Sequence, residues 1–210
     1  MAFFDISRKL HAKIATWPGD APYRLNQILS IEDGSSVNLT TIEMSAHTGT
    51  HVDAPRHFLV DGQPLDQIDL RPFWGLAQVV TVRHKADGAL TVADFADCDL
   101  TLASRLLVHS DASHLDPQQF PKQFVYPAPE LGEFLSAQGV ILYGSDAPSM
   151  DHEESKSLLG HKGLHANGIS ILEGLDLSDV PDGIYDLSAL PLPLVNGDGS
   201  PVRAVLRTIE

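Results

Sequence analysis

The sequence predicts one domain of α/β or α+β class built around a β-sheet, and three observations lead to this prediction. The chain has 210 residues, of which 43% are hydrophobic, so it is long enough to bury a sizeable core. No internal repeat, low-complexity tract or Gly/Ser-rich linker divides it, so we interpret residues 1–210 as a single domain. Short runs with β-strand composition outnumber the helical signals, and the two kinds are mixed along the chain.

The predicted elements follow from composition and spacing. Six runs rich in β-branched and other apolar residues are predicted as strands: Val37–Met44, Leu76–Arg83, Arg105–His109, Val140–Tyr143, Gly168–Glu173 and Val202–Ile209. Pro129–Gln138 spaces its apolar residues as a helix does and ends before Gly139. Asp151–Glu154 is typical of a helix start, with Gly160 where that helix would end, and Thr91–Asp94 resembles an N-terminal cap. Periodicity does not give the strand order.

Charge and cysteine content exclude several classes of protein. The chain has 14 Lys and Arg against 28 Asp and Glu, a net charge of −14. This argues against binding to nucleic acid or to an anionic membrane surface, both of which need clustered cations. The single cysteine, Cys98, excludes an intramolecular disulfide and a Cys-rich zinc module. We see neither a signal-peptide pattern nor an apolar membrane span, and we expect a soluble cytoplasmic protein.

Four metal-binding or titratable side chains are concentrated in one short segment. Of the ten histidines in the chain, three fall with an aspartate into eleven residues: His47, His51, Asp53 and His57. Their positions are all odd, and alternate residues of an extended chain share a face, so the first three could converge. A helix is the alternative, but Gly49 and Pro55 make it a poor one. We interpret the segment as the tail of a strand that passes into a structured loop.

This set of side chains suits a divalent metal. Two imidazoles and a carboxylate form a ligand set that leaves positions open for water. The alternative is a polar loop in which the histidines satisfy backbone groups. His57 is then either a further ligand or a nearby acid/base.

A second segment carries His161, just past the predicted helix, and Glu173, at the end of an apolar strand. A carboxylate buried there would be costly unless a cation or a metal accompanied it. The alternative is that Glu173 faces solvent at the strand end.

The residues together resemble a known family. The segment His47–His57 matches the H-x-G-T-H-x-D-x-P-x-H signature of the metal-dependent cyclase-like hydrolases at every position. Further segments resemble the arylformamidases of that family: Trp17–Asp20, Gly144–Ser149, Glu154–Lys156, Ile171–Leu175 and Ser200–Leu206. The stretch His109–Tyr126 is not matched, so substrate contacts there are left open.

The resemblance implies a single-domain swivelling β/β/α fold with a mixed sheet core, and a homodimer. It also implies two divalent metal ions per chain, usually Zn²⁺, although Mn²⁺ or Co²⁺ suits the same donors. The first ion would be held by His47, His51 and Asp53, and the second by His161, with Asp53 and Glu173 bridging both. By the same resemblance, His57 corresponds to the proton donor and acceptor, and Trp17 to a substrate contact.

The activity implied by the resemblance is hydrolysis of an aryl formamide, N-formyl-L-kynurenine, to L-kynurenine and formate in tryptophan breakdown. Two alternatives are another amide or ester hydrolase of the family, similar to isatin hydrolase, and a non-catalytic metal-binding protein. A serine hydrolase mechanism would need an activated serine, commonly in a G-x-S-x-G pentapeptide, and none occurs in the chain. Asn196–Gly199 is interpreted as a turn and not as part of a phosphate-binding loop.

Overall fold

The computed structural model describes residues 1–82 and 85–209. In chain order the strands are β1 (Phe3–Asp5), β2 (Arg24–Leu29), β3 (Leu39–Glu43), β4 (His51–Asp53), β5 (Trp74–Thr81), β6 (Gly88–Leu90), β7 (Arg105–His109), β8 (Val125–Pro127), β9 (Leu142–Ser145), β10 (Ser170–Glu173), β11 (Gly183–Ser188), β12 (Gly199–Pro201) and β13 (Val205–Thr208). The α-helices of the described residues are α1 (Leu131–Ala137) and α2 (Leu159–Ala166). Neither has the length needed to cross a membrane.

Nine of the strands form one mixed sheet in the order β1-β13-β11-β5-β7-β9-β10-β4-β12. The pairs β5–β7, β7–β9 and β9–β10 are parallel, and the other pairs are antiparallel. All five residues of β7 are buried, as is typical of a parallel strand covered on both faces. The predicted mixed sheet with few helices is therefore confirmed.

The core lies on both faces of this sheet. Because successive side chains of a strand point to opposite faces, Leu107 of β7 belongs to one apolar cluster and its neighbours Leu106 and Val108 to the other. The second cluster also contains buried leucines of both helices, Leu135 of α1 and Leu164 of α2 among them. The helices thus pack against one face of the sheet.

The sequence predicted part of these elements. Each of the six predicted runs overlaps a strand, namely β3, β5, β7, β9, β10 and β13, although β5 begins at Trp74 and β9 spans Leu142–Ser145. None of the six runs covers β1, β2, β6, β8, β11 or β12. Arg83, at the end of one predicted run, lies outside the described residues. The predicted helix over Pro129–Gln138 is α1, and Thr91 forms a capping box with Asp94 at the start of a 3₁₀ turn.

The helix predicted to run from Asp151 to Gly160 is wrong. Residues 151–158 are a loop, Leu158 has a left-handed φ of 50°, and α2 begins at Leu159. The Asp151 carboxylate accepts hydrogen bonds from the backbone N–H groups of Gly160 and His161, at 3.0 and 3.1 Å, and so anchors the first turn of α2 from the preceding loop. Gly160 does not end a helix, and His161 lies inside α2.

Strands β2 and β3 form a separate two-stranded hairpin. Every residue of both strands is exposed, including apolar residues such as Leu25, Ile28 and Ile42. An isolated hairpin is marginally stable in water, so this one has apolar surface left to cover.

Candidate metal centre

The centre is built on β4, which lies between β10 and β12 in the large sheet. His51 and Asp53 are two residues apart on this strand, so their side chains emerge on the same face. Glu173 of β10 is the cross-strand partner of His51. Nε2 of His51 lies 3.2 Å from Oε2 of Glu173 and 3.5 Å from Oδ1 of Asp53. All three side chains are buried.

The first turn of α2 brings His161 to the other side of the same two carboxylates. Its Nε2 lies 3.4 Å from Oδ2 of Asp53 and 3.3 Å from Oε1 of Glu173. Each carboxylate therefore has one oxygen near His51 and the other near His161. This is the arrangement expected of groups that bridge two cations.

His47 reaches the cluster from a turn and not from the strand. Residues 47–50 form a turn in which Gly49 has a φ of 70°, and only residues 51–53 are extended. The expectation that a continuous extended chain places His47 on the face of His51 is therefore wrong in its geometry. The predicted convergence is nevertheless observed, since Nδ1 of His47 lies 3.0 Å from Oδ1 of Asp53.

In His47, His51 and His161, the second ring nitrogen lies close to a hydrogen-bond acceptor outside the cluster. Nδ1 of His51 donates to the Gly49 carbonyl at 3.0 Å. Nδ1 of His161 lies 2.7 Å from Oδ2 of Asp151, and Nε2 of His47 lies 3.2 Å from Oδ2 of Asp198. Histidines that bind metals almost always donate their other N–H to a carbonyl or carboxylate in this way, which fixes the tautomer and the ring orientation.

The donor atoms fit a divalent metal. Two donors bound tetrahedrally to one zinc ion at about 2.0–2.1 Å are themselves about 3.4 Å apart, close to the separations found here. The triad of His51, Asp53 and Glu173 offers three ligand atoms within 4.8 Å of one another. Oδ2 of Asp53 is fully buried and makes no hydrogen bond within residues 1–82 and 85–209. A buried carboxylate oxygen in this state fits a metal ligand.

The electrostatics of the cluster demand positive charge. Burial alone would lower the pKa of His47, but its hydrogen bond to Asp53 and the nearby carboxylate charges raise that pKa to about 9. Burial likewise acts against the charged form of His161, and its contacts with Asp151, Asp53 and Glu173 raise its pKa to about 12. For Asp53 the histidine contacts outweigh burial, and its pKa lies well below the usual range. The two carboxylates thus favour a positive charge beside them, whether a proton on histidine or a metal.

His57 stands at the edge of this cluster, in the 3₁₀ turn that follows β4. Its ring packs 4.0 Å from that of His47, centroid to centroid, and its Nδ1 lies 3.5 Å from Oδ2 of Asp198. A third of its side chain, 33%, is exposed, against 3% for His51. His57 also lies within ligand distance of His47 and Asp53, so its contacts suit a ligand and an acid/base alike.

A cavity of about 330 Å³ opens beside the cluster. His51, His161 and Glu173 line it, and so do Trp17 and Phe120. The Trp17 and Phe120 rings meet edge to face, 5.2 Å apart at 77°. A volume of this size is typical of a site for a small molecule.

Three residues of this region are not predicted by the sequence. The sequence indicates only a helix start at Asp151 and only a turn at Asp198. Phe120 lies in the stretch His109–Tyr126 that the resemblance left unmatched. A metal-binding histidine needs an acceptor for its second N–H, so the motif predicts that such acceptors exist. Spacing in the sequence does not identify Asp151 and Asp198 as these acceptors.

The comparisons with known proteins agree with this geometry. Residues 4–152 match the family described as Putative cyclase. The chain is 41% identical to the kynurenine formamidase of Bacillus cytotoxicus over 207 residues, which is 99% of this chain and 98% of the relative. It is 42% identical to the kynurenine formamidase of Geobacillus thermodenitrificans over 205 residues, 98% of this chain and 97% of that one.

Solved structures show the same fold. A protein from Bacillus stearothermophilus described as a metal-dependent hydrolase superimposes with a TM-score of 0.82 at 28% identity, covering 98% of this chain and 97% of its own. Isatin hydrolase A from Labrenzia aggregata gives a TM-score of 0.84 at 24% identity, over 100% of this chain and 94% of its own. At that identity the second likeness concerns the fold alone. The chain belongs to the cyclase family, in the branch that contains the bacterial kynurenine formamidases.

Proposed function

We propose that the chain hydrolyses N-formyl-L-kynurenine to L-kynurenine and formate, a step of tryptophan breakdown. The observation that carries the proposal is a buried cluster of histidines and carboxylates beside a cavity that the aromatic rings of Trp17 and Phe120 also line. The curated relatives at 41% and 42% identity carry the name of this activity over nearly their whole length. The substrate needs both features, since its formamide must be hydrolysed and its aryl ring must be held.

We assign the metal ligands as two sets that share both carboxylates. His47, His51 and Asp53 would hold the first ion, and His161 would hold the second, with Asp53 and Glu173 bridging. Zinc is the metal we expect, because its usual ligands are imidazole nitrogens and carboxylate oxygens. When bound, divalent ions of this kind supply an activated water near neutral pH and polarise the formyl carbonyl.

His57 has the position of a proton donor for the leaving group. Hydrolysis adds water to the formyl carbon and breaks the bond from that carbon to nitrogen. An anilide leaves poorly unless its nitrogen is protonated, and histidine can hold such a proton near neutral pH. His57 is more exposed than His51 or His161, lines the same cavity and is therefore open to substrate.

Trp17 and Phe120 have the position of substrate-binding residues. The backbone N–H of Ala15 donates to the Pro117 carbonyl at 2.8 Å, which ties the segment carrying Trp17 to the one carrying Phe120. The two rings form an aromatic wall on which the planar kynurenine ring can pack. Such packing also excludes water from the part of the cavity that these rings line.

A substrate panel on protein of known metal content tests the proposed function. We expect kcat/KM for N-formyl-L-kynurenine to exceed that for isatin by at least about tenfold, a ratio that pocket shape can supply. The matched control is Asp53→Asn, which should lose activity together with metal. A preference for isatin would instead favour the isatin hydrolase alternative. Bound ions without turnover of either compound would favour a metal-binding protein.

We also propose that the chain forms a homodimer through the exposed hairpin of β2 and β3. The partner we infer is a second copy of this chain, because a hairpin exposed at every residue needs an apolar surface to pack on. The outer face of β5 offers one, since Trp74 and Leu76 are both exposed there. Packing of this kind would cover apolar surface on both copies.

Light scattering tests the proposed dimer. A single chain has a mass of 22.7 kDa, and we expect the wild-type protein to show about twice that value. Ile28→Lys combined with Ile42→Lys should give monomers, because buried apolar contacts would be replaced by charge. Thr41→Lys is the matched control on the same hairpin. A monomeric wild-type protein would contradict the proposal.

A further inference from the structure

One carboxylate outside the proposed ligand set contacts two histidines at once. Asp198 precedes β12, whose first residue, Gly199, is the cross-strand partner of Asp53. The Asp198 carbonyl accepts a hydrogen bond from the backbone N–H of Ala54 at 2.9 Å, so its main chain is fixed beside β4. Its Oδ2 then lies 3.2 Å from Nε2 of His47 and 3.5 Å from Nδ1 of His57.

The rings of His47 and His57 are arranged so that one carboxylate oxygen can contact both. Their centroids are 4.0 Å apart with an angle of 34° between the planes, so the rings lie nearly face to face. Gly199 makes room for this arrangement, since a Cβ there would lie 2.5 Å from Cε1 of His47. The strand pairing and the glycine together bring the Asp198 carboxylate to the edge of the stacked rings.

The contact also assigns different roles to the nitrogens of His57. A ring nitrogen that donates to a carboxylate carries the proton, and this fixes the tautomer of the neutral ring. With Nδ1 donating to Asp198, Nε2 is the nitrogen left to exchange a proton with substrate. A separation of 3.5 Å is long for a hydrogen bond, but such contacts in catalytic sites often tighten only when substrate binds.

We propose that Asp198 is a positioning residue for the acid/base His57. Its contact with His47 belongs to the same arrangement, in which one carboxylate oxygen contacts both rings. Asp198 orients the His57 ring and fixes Nε2 as the reactive nitrogen, while touching neither substrate nor metal. The inference rests on the proposed function, because it presumes that His57 exchanges a proton with the substrate.

A double-mutant cycle tests this role by activity. Asp198→Asn keeps the size of the side chain but replaces one acceptor by an N–H₂ group that cannot accept from a ring N–H. We expect kcat to fall about 10- to 100-fold, as is typical when the outer partner of a working histidine is lost, with little change in KM. The double variant Asp198→Asn/His57→Ala should be no slower than His57→Ala alone, because the two residues act as one unit.

Asp66→Ala, which removes an acceptor that anchors the same loop, is the control for the loop. Asp66 accepts the backbone N–H of Asn196 at 2.8 Å, so it holds the same loop without contacting either histidine. Its variant should retain wild-type kcat. A loss equal to that of Asp198→Asn would mean that loop anchoring, and not histidine orientation, explains the effect, and would overturn the proposal.

Nitrogen NMR of the zinc-loaded protein gives a readout that does not depend on activity. His57 is assigned by the signals that disappear in His57→Ala. The wild-type protein should show the tautomer protonated at Nδ1, and Asp198→Asn should show a mixture of tautomers with its zinc retained. An unchanged His57 tautomer in Asp198→Asn would overturn the proposal. Additive losses of rate in the double-mutant cycle would also overturn it, and so would a loss of zinc that accounts for the loss of rate.

A failure of the proposed function can be distinguished from a failure of the positioning role of Asp198. If the wild-type protein does not hydrolyse N-formyl-L-kynurenine, the proposed function fails, yet the NMR comparison still decides whether Asp198 fixes the His57 ring. If the wild-type protein is active and His57→Ala is slowed but still measurable, additive behaviour of Asp198→Asn overturns the positioning role alone.

Discussion

Glu173 and His51 face each other across the antiparallel pair of β10 and β4, with Oε2 of Glu173 3.2 Å from Nε2 of His51. The other oxygen of the same carboxylate, Oε1, lies 3.3 Å from Nε2 of His161. One side chain therefore touches a histidine of each proposed ion, whereas each of these histidines belongs to only one. Variants of Glu173 and His161 should accordingly differ in how much metal they lose.

Glu173→Gln is expected to lower the occupancy of both ions, because a neutral amide is a weaker ligand than a carboxylate and removes a bridging charge. His161→Ala should remove mainly the second ion and leave about one ion per chain. Elemental analysis after reconstitution with zinc measures both. Full activity of wild-type protein carrying at most one ion per chain would contradict the two-ion assignment.

His57→Ala is expected to keep the metals and to lose about 10²–10⁴ in rate, the usual range for general acid–base catalysis. His51→Ala should lose metal and activity together, because His51 is buried against both carboxylates. Metal analysis and kcat/KM on the same preparations distinguish the two roles. If His57→Ala strips the metal as His51→Ala does, then His57 is a ligand.

The leaving group gives a finer test of His57. Aryl formamides or esters with better leaving groups need less proton assistance, so the ratio of wild-type to His57→Ala kcat/KM should shrink as leaving-group pKa falls. A series of substituted formanilides measures this dependence. A constant ratio would indicate that His57 acts only in the activation of water.

Trp17→Ala is expected to weaken use of N-formyl-L-kynurenine by about 0.5–1.5 kcal/mol beyond the loss of contact area, because planar rings gain from stacking. Phe120→Ala should act in the same direction, since the Phe120 ring supports Trp17 from the side. The measurement is kcat/KM with the aryl substrate and with a small aliphatic formamide as the control. An unchanged value for the aryl substrate in Trp17→Ala would remove Trp17 from the site.

Removal of metal is expected to destabilise the fold, because the proposed ions would bind the native protein and offset the buried carboxylates. At free zinc near 100 times the dissociation constant, each bound ion would contribute about 2.7 kcal/mol, or roughly 5–10 °C in Tm per ion for a chain of this size. Thermal unfolding with a chelator, and again after zinc is restored, measures the shift. Asp53→Asn is the control, since its Tm should no longer respond to the chelator.

Asp146→Ala is expected to lower the free energy of unfolding by at least about 3 kcal/mol, because it leaves four buried donors without their acceptor. The buried Asp146 carboxylate accepts hydrogen bonds from the backbone N–H and the hydroxyl of both Ser110 and Ser113, at 2.7–3.0 Å. Urea denaturation measures the loss. Asp99→Ala, at an exposed aspartate that accepts hydrogen bonds from the backbone N–H and hydroxyl of nearby Thr101, should leave the midpoint close to the wild-type value.

The sequence predicted those parts of the metal centre that can be recognised within a short segment of the chain. His51 and Asp53 were predicted to share a face because they alternate on a strand, and in the structure they do. Glu173 was singled out because a carboxylate at the end of an apolar strand needs a cation, and it lies between His51 and His161. Those inferences required no knowledge of the strand order.

Other parts depend on contacts between distant segments. Asp198 meets His47 only because β12 pairs with β4, an arrangement that periodicity cannot give. Asp151 has the composition of a helix start, yet it anchors a helix that begins eight residues later, because its carboxylate accepts the N–H groups of Gly160 and His161. In both cases a side chain bonds to a part of the chain that local propensity does not reveal.

The proposed ions would close very different lengths of chain. His47, His51 and Asp53 lie within seven residues, whereas His161 and Glu173 come more than a hundred residues after them. Bringing distant segments together has an entropic cost that a local cluster does not have. Three ligands of the first ion can therefore assemble as soon as β4 and its preceding turn form, whereas Glu173 and His161 join them only when β10 and α2 have docked. On partial unfolding the order would reverse, so the second ion would leave first, while the first would keep its three local ligands.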